Sequence, residues 1–273
     1  MARDIFQSIS SLDAEGVQRI IDRLEFRGKD QAFVAMRDEY LKEMELAPNA
    51  TILDLGCGTG VVARALASQD QFTGRIVGVD FSSELITAAR YLAAEEGVED
   101  RIEFRVGDAS ALEEDDESFD AVLLHTLVSH VPDPSAVVSE AARVTRQGGA
   151  VAIFDGDYAS ISYATGDHNL DAEMVQAILA AIVANPYVMR ELPTILRSVG
   201  LEIEGFIPSV LAEAGVGAFF SSLAESYTPV VIRSQTAPEA KANDWLTAYR
   251  QTVSSNTAFA SCNYYTYLAR RPS

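Results

Sequence analysis

Gly56, Gly58 and Gly60 stand between an apolar run, Ile52, Leu53 and Leu55, and a stretch of helical spacing from Val61 to Leu66. A strand that runs through glycines into a helix presents bare backbone N–H groups at the helix start, a setting for an anionic ligand group. Asp54 lies inside the apolar run. Asp80 closes the next one, Arg75–Asp80, about 20 residues past the last glycine, where a carboxylate can accept from both hydroxyls of a ribose. Further on, Gly107-Asp108-Ala109 follows Ile102–Val106, His125 follows Phe119–Leu124, and Asp155 follows Ala150–Phe154. The side chains near these ends that can move a proton are His125, His130, Asp155, Asp157 and Tyr158.

The elements that must position these residues alternate strand and helix from Thr51 to Phe154. That order predicts an α/β fold with a doubly wound parallel sheet, whose ligands bind outside the carboxyl ends of the strands. Gly56, Asp80, Asp108, His125 and Asp155 then share one rim. Two amphipathic helices, over 12–26 and from Gly28 to Pro48, precede the first strand and either cover the site as a lid or simply pack on the sheet. Arg27, Arg37 and Tyr40 are the lid residues that could reach a ligand carboxylate. Beyond the fifth strand the spacing predicts helices over Asp171–Val183, Val188–Val199, Ala212–Ser226 and Glu239–Ser254, with strands at Leu201–Ile207 and Ser261–Ala269. One domain spanning 1–273 is expected: a helical lid (1–48), a ligand-binding core (50–156), and a cap with the last two strands (157–273). The aromatic residues of the cap, Tyr163, Tyr187, Phe206, Phe219, Phe220, Tyr227 and Trp245, either wall a pocket or form core between cap and sheet.

Composition removes several functions. The 273 residues carry 40 acidic and 21 basic side chains, a formal charge of −19, with no basic run for a phosphate backbone or an anionic membrane. Nucleic acid and membrane insertion are therefore not expected. Met1–Ser10 has no leader pattern. Cys57 and Cys262 make no disulfide framework, and three histidines without HExxH or CxxC make no metal site. Cys57 reads as a small filler of the turn. The expected location is cytoplasmic.

Five segments in order, LDLGCGTG (Leu53–Gly60), GVD (Gly78–Asp80), GDA (Gly107–Ala109), SFDAVLLHTLVSHVPDP (Ser118–Pro134) and RVTRQGGAVAIFD (Arg143–Asp155), resemble the class I S-adenosylmethionine-dependent methyltransferases. The similarity is to the small-molecule branch typified by ubiquinone- and menaquinone-biosynthesis C-methyltransferases, and it is strong over residues 50–155. The resemblance implies a seven-stranded sheet with an antiparallel last strand, and S-adenosyl-L-methionine as cofactor, leaving as S-adenosyl-L-homocysteine. It implies that backbone at Gly56, Cys57 and Gly58 holds the methionine portion and that Asp54 orders the turn near its ammonium. Asp80 takes the ribose, Phe81 covers the adenine, Asp108 and Ala109 bind its edge, and the His125 backbone faces the amino group. His130 and Asp157 are the residues expected to do acid–base work. The expected partner is a small-molecule acceptor, apolar or aromatic, methylated on O, C or N, and a homodimer is allowed. The competing reading is a regulatory or scaffold protein that binds the cofactor without turnover. A dinucleotide oxidoreductase fits less well, because the glycines run G-x-G-x-G where that fingerprint runs G-x-G-x-x-G.

Overall fold

A computed structural model describes Ile9 and residues 12–273; apart from Ile9, the reading of Met1–Ser10 lies outside the described residues. Its frame is a seven-stranded sheet in the order β3-β2-β1-β4-β5-β7-β6. The strands β1 (Thr51–Leu55), β2 (Arg75–Asp80), β3 (Ile102–Val106) and β4 (Phe119–His125) are parallel, and β5 (Thr145–Tyr163) continues that direction beside β4. The last strand, β7 (Ala258–Arg270), runs antiparallel between β5 and β6 (Glu202–Gly215). The expected fold class is thus the observed one.

Strands β1, β2 and β4 are short and mostly apolar because helices cover both faces, while the edge strand β3 carries the surface ion pair of Glu103 and Arg105. Leu53, Leu55, Val77, Val79 and Leu124 pack on one side with α5 (Pro134–Val144) and α7 (Val188–Ser198). Ile52, Ile76, Ala121 and Leu123 pack on the other with α2 (Gln31–Glu43), α3 (Val61–Ala67) and α4 (Ser83–Glu96). Caps fix where these helices begin. Ser82 Oγ accepts from Leu85 N at 3.2 Å, so α4 starts immediately after Asp80. Asp133 caps α5 ahead of Pro134, and Asp13 caps α1 (Ala14–Lys29).

The second half departs from the sequence reading in two places. Ala212–Gly215 is the end of β6, and the helix expected over Ala212–Ser226 is α8, Phe219–Arg233. Long-range pairing decides this: Leu211, Ala212 and Glu213 are registered with Cys262, Ser261 and Ala260 of β7. Likewise β5 does not stop at Phe154 but runs to Tyr163, bulging between Asp157 and Ser162 as β7 carries it onward. Residues 157–163 are therefore sheet, and the cap proper is α6 (His168–Ile182), α8 and α9 (Glu239–Ser254).

Candidate functional site

The turn after β1 is built on positive φ. Gly56 has φ +70°, and a β-carbon there would collide with the Leu127 side chain; Gly60, φ +76°, starts α3 where the Phe104 ring fills the space. Gly56 N and Cys57 N both donate to Val79 O, at 2.8 and 3.0 Å, and Gly58 N donates to Asp80 Oδ2 at 2.9 Å. The N–H groups expected to meet a ligand are therefore engaged with β2, and that of Gly58 holds Asp80 in place. Its other oxygen accepts from Ser82 N at 3.0 Å. A carboxylate has about four lone-pair sites, so two fixed bonds orient it and leave capacity for ligand hydroxyls.

Asp80 lies on a cavity of about 610 Å³, within the usual range for a small-molecule site. Asp54, Gly56, Cys57, Gly58, Phe81, Asp108, Ala109, His125 and His130 share its wall, so the cavity gathers every expected cofactor residue. Asp54 is 1% exposed, accepts from Ala63 N at 3.2 Å, and is pushed up to about 7 by burial, with a contribution from the Asp80 charge. Burial also raises Asp80, against the two N–H bonds it accepts. Asp108 is instead held below the ordinary carboxylate range by the Ser110 N–H and hydroxyl. Burial pushes the Cys57 thiol well up, so it fills space as a neutral group.

Thr59 is a residue the sequence did not single out. Its hydroxyl is buried on the cavity wall with no hydrogen-bond partner among the described residues. A native structure seldom leaves such a group unpaired, so a polar ligand atom suits it. Four acidic side chains on the wall, Asp54, Asp80, Asp108 and Asp133, disfavour a pyrophosphate and favour a ligand with hydroxyls and a positive centre. The site fits a nucleoside carrying a cationic amino-acid tail.

The N-terminal helices do sit over the turn. A β-carbon on Gly28 would stand 2.6 Å from Val61, and one on Gly58 would stand 3.3 Å from Leu24. Arg64, 4% exposed on α3, ties this arrangement together: it donates to Thr59 O, to Glu25 of α1 at 2.6 Å and to Glu96 of α4. Arg27 reaches Thr126 Oγ1 at 2.7 Å, and Arg27 and Arg37 both line the cavity. Thr126 has φ +54°, an uncommon conformation for a β-branched residue, held by its N–H on Phe154 O at 2.7 Å. Nothing in the sequence announced that kink. Tyr40 meets His125 Nδ1 at 3.0 Å, and burial depresses His125 so that its imidazole is neutral.

The two acid–base candidates separate. His130 is on the cavity wall and stands edge-on to the Tyr158 ring, 5.9 Å between centroids. Near it, burial raises Asp155, opposed by His130 and by hydrogen bonds that include the Ser129 and Gly156 N–H groups, at 3.0 and 2.8 Å. Asp157 does not line the cavity: its carboxylate is clamped by Arg190 through Nε at 2.9 Å and Nη2 at 2.9 Å. Arg190 is the residue whose pairing with Asp157 spacing could not reveal. The cap aromatics Tyr163, Phe219, Phe220, Tyr227 and Trp245 form buried core, with Tyr163 edge-on to Trp245, while Tyr187 and Phe206 lie half-exposed. None of these seven lines the cavity; Phe33 of α2 does. His168 is exposed at the start of α6. Among the described residues no His, Cys, Asp and Glu cluster could hold a metal, and no helix is long and apolar enough to cross a membrane.

Comparison with known proteins adds the following. Residues 46–199 match the family model described as a methyltransferase domain. The chain is 31% identical over 199 residues to an arsenite methyltransferase of Halobacterium salinarum, covering 72% of this chain and 46% of that protein. It is 35% identical over 112 residues to a demethylmenaquinone methyltransferase of Lactiplantibacillus plantarum, covering 41% and 47%. The chain spans about half the length of the curated relatives it matches first. Its fold is that of a geranyl diphosphate C-methyltransferase of Streptomyces coelicolor A3(2), solved with S-adenosyl-L-homocysteine, with TM-score 0.54, 17% identity, and coverage of 87% of this chain and 76% of that one.

Proposed function

The chain belongs to the methyltransferase-domain family, and from that premise we propose that it transfers a methyl group from S-adenosylmethionine to a small-molecule acceptor. The observation that carries the proposal is the convergence of Asp54, the glycine turn, Asp80, Asp108 and His125 on one cavity. When bound, the cofactor supplies a methyl group already activated on a sulfonium.

The residues then have distinct tasks. Asp80, oriented by Gly58 and Ser82, holds the ribose hydroxyls; Phe81 covers the adenine, and Asp108 with the Ala109 N–H takes its edge. Thr59 Oγ1, unpartnered on the wall, completes a hydrogen bond to the ligand. Asp54 balances the ammonium, and Arg27 or Arg37, which share the wall, takes the carboxylate. Under the lid of α1 and α2 the chain orients the acceptor and excludes water, which is most of what such a transfer needs.

An acceptor that must lose a proton is served by His130 on the cavity wall. Asp157, neutralised by Arg190, supports the strand. The apolar acceptor side is Phe33, Leu127 and Val131 on the same cavity, favouring an apolar or aromatic molecule.

The test is transfer of a labelled methyl group from S-adenosylmethionine to a panel of phenols, quinols and acidic carbon compounds. Transfer to a panel member, reduced in His130→Gln, is expected. Cofactor binding with no transfer to any member would favour the regulatory reading instead.

A further inference from the structure

The outer edge of the sheet breaks the rule that a solvent-facing antiparallel strand carries polar residues outward. In β6 the register places Ile207, Ser209, Leu211 and Glu213 opposite Thr266, Tyr264, Cys262 and Ala260, on the face covered by the cap. The alternate residues, Phe206, Pro208, Val210, Ala212 and Ala214, are all exposed and all apolar. Their partners across β7, Tyr265, Asn263, Ser261 and Phe259, continue the same uncharged face, while Tyr267, opposite Phe206, is buried beneath α7. Val210 is 70% exposed, Phe206 48% and Phe259 43%. Phe206 lies against Tyr265 and Tyr267, centroids 5.3 and 4.9 Å away, so the patch is already organised.

We propose that this β6–β7 face is the interface of a two-fold symmetric dimer of the chain, packed sheet on sheet. Area is the first reason. Aromatic side chains bury 150–250 Å² each, so half-exposed Phe206 and Phe259, with Ile203, Pro208, Val210, Ala212 and Ala214, leave a patch on the order of 600 Å². Two such faces bury about 1,200 Å² together, where specific interfaces begin. Charge is the second. The molecule carries −19, yet the outward positions from Phe206 to Ala214 and from Phe259 to Tyr265 hold no Asp or Glu. Two copies of so acidic a chain can approach closely where no carboxylate meets another. At the border, Arg190 is neutralised by Asp157.

Packing on the face fits better than pairing along the edge. Pro208 within β6 lacks an N–H, and the ladder is irregular between Ile203 and Gly205, both devices that blunt an edge strand. The face has no such device. Two sheets meeting there would pack about 10 Å apart, with Val210 near the centre.

Sedimentation equilibrium of the full chain tests this, with Val210→Glu and Ala212→Lys as separate variants. The wild type should be a dimer that tightens with added salt, since screening relieves the repulsion between two acidic copies. Each variant should sediment as a monomer with an unchanged circular dichroism spectrum, because both side chains already point to solvent. Agreement of two variants of opposite charge separates loss of the interface from a folding defect. A monomeric wild type, or a dimer that survives both substitutions, would overturn the proposal.

Discussion

The two halves of this sheet are made by different physics. From β1 to β4 each strand is five to seven residues long, and the candidate site residues sit at the carboxyl ends of the strands or in the turns that follow them. From β5 to β7 the strands run 13 to 19 residues, paired antiparallel, with α6, α8 and α9 laid across one face and α7 covering only part of the other. The first half concentrates buried carboxylates and positive-φ glycines at a cavity; the second concentrates aromatic core around Trp245 and Tyr163. The left-handed Thr126 and the unpaired Thr59 hydroxyl lie on the ligand side, and dense aromatic packing lies on the other. On the proposed function, one half would carry the chemistry and the other would supply stability and shape.

Substitutions that separate the two properties test this division. The largest effect expected is Trp245→Ala. Trp245 is fully buried, stacks near Tyr249 and donates to Asp171 at 3.0 Å, so its loss should cost about 4 kcal/mol in denaturant unfolding. Cofactor affinity of the folded fraction should change less than about threefold, as for sites with no shared contacts; a large loss of affinity would erase the division. Next, His130→Gln should lower turnover by about 100-fold on an acceptor that must be deprotonated, the scale of a lost general base. Asp157→Asn, away from the cavity, should leave turnover within about twofold and cost roughly 1 kcal/mol, since its Arg190 partner is half-exposed. Equal losses of turnover in the two variants would return Asp157 to the site.

Gly56→Ala should cost about 2 kcal/mol in thermal unfolding, from positive φ and the collision with Leu127, and should weaken cofactor binding as the turn shifts. The smallest effect is with pH. Asp54 is raised to about 7 before a ligand binds, and a bound ammonium favours its ionised form. Binding below pH 7 must therefore release a proton, so affinity should fall as pH drops below about 7, by up to tenfold per unit, and level off above it. Asp54→Asn should flatten that profile in calorimetry at several pH values.

The same division explains how much was legible in the sequence. Gly56, Asp80, Asp108 and His125 could be placed on one rim because each is fixed by its own strand end and the turn after it. Thr126 could not: its left-handed backbone depends on Phe154, which the sheet brings beside it. The Asp157–Arg190 pair joins β5 to α7, and only the register of β5 with β7 decides which face Asp157 takes. Ala212–Gly215 has helix-forming residues, but β7 draws it into the sheet. Local chemistry was readable, and long-range pairing was not.

The most direct test of the cofactor assignment is calorimetric titration of the full chain with S-adenosylmethionine, S-adenosylhomocysteine and NAD, repeated with Asp80→Ala. The expected result is saturable binding of both sulfur nucleosides and none of NAD, weakened by about 100-fold in the variant, the loss of two hydrogen bonds to a charged acceptor. Wild-type protein that binds neither sulfur nucleoside, or an Asp80→Ala variant that binds them equally well, would contradict it.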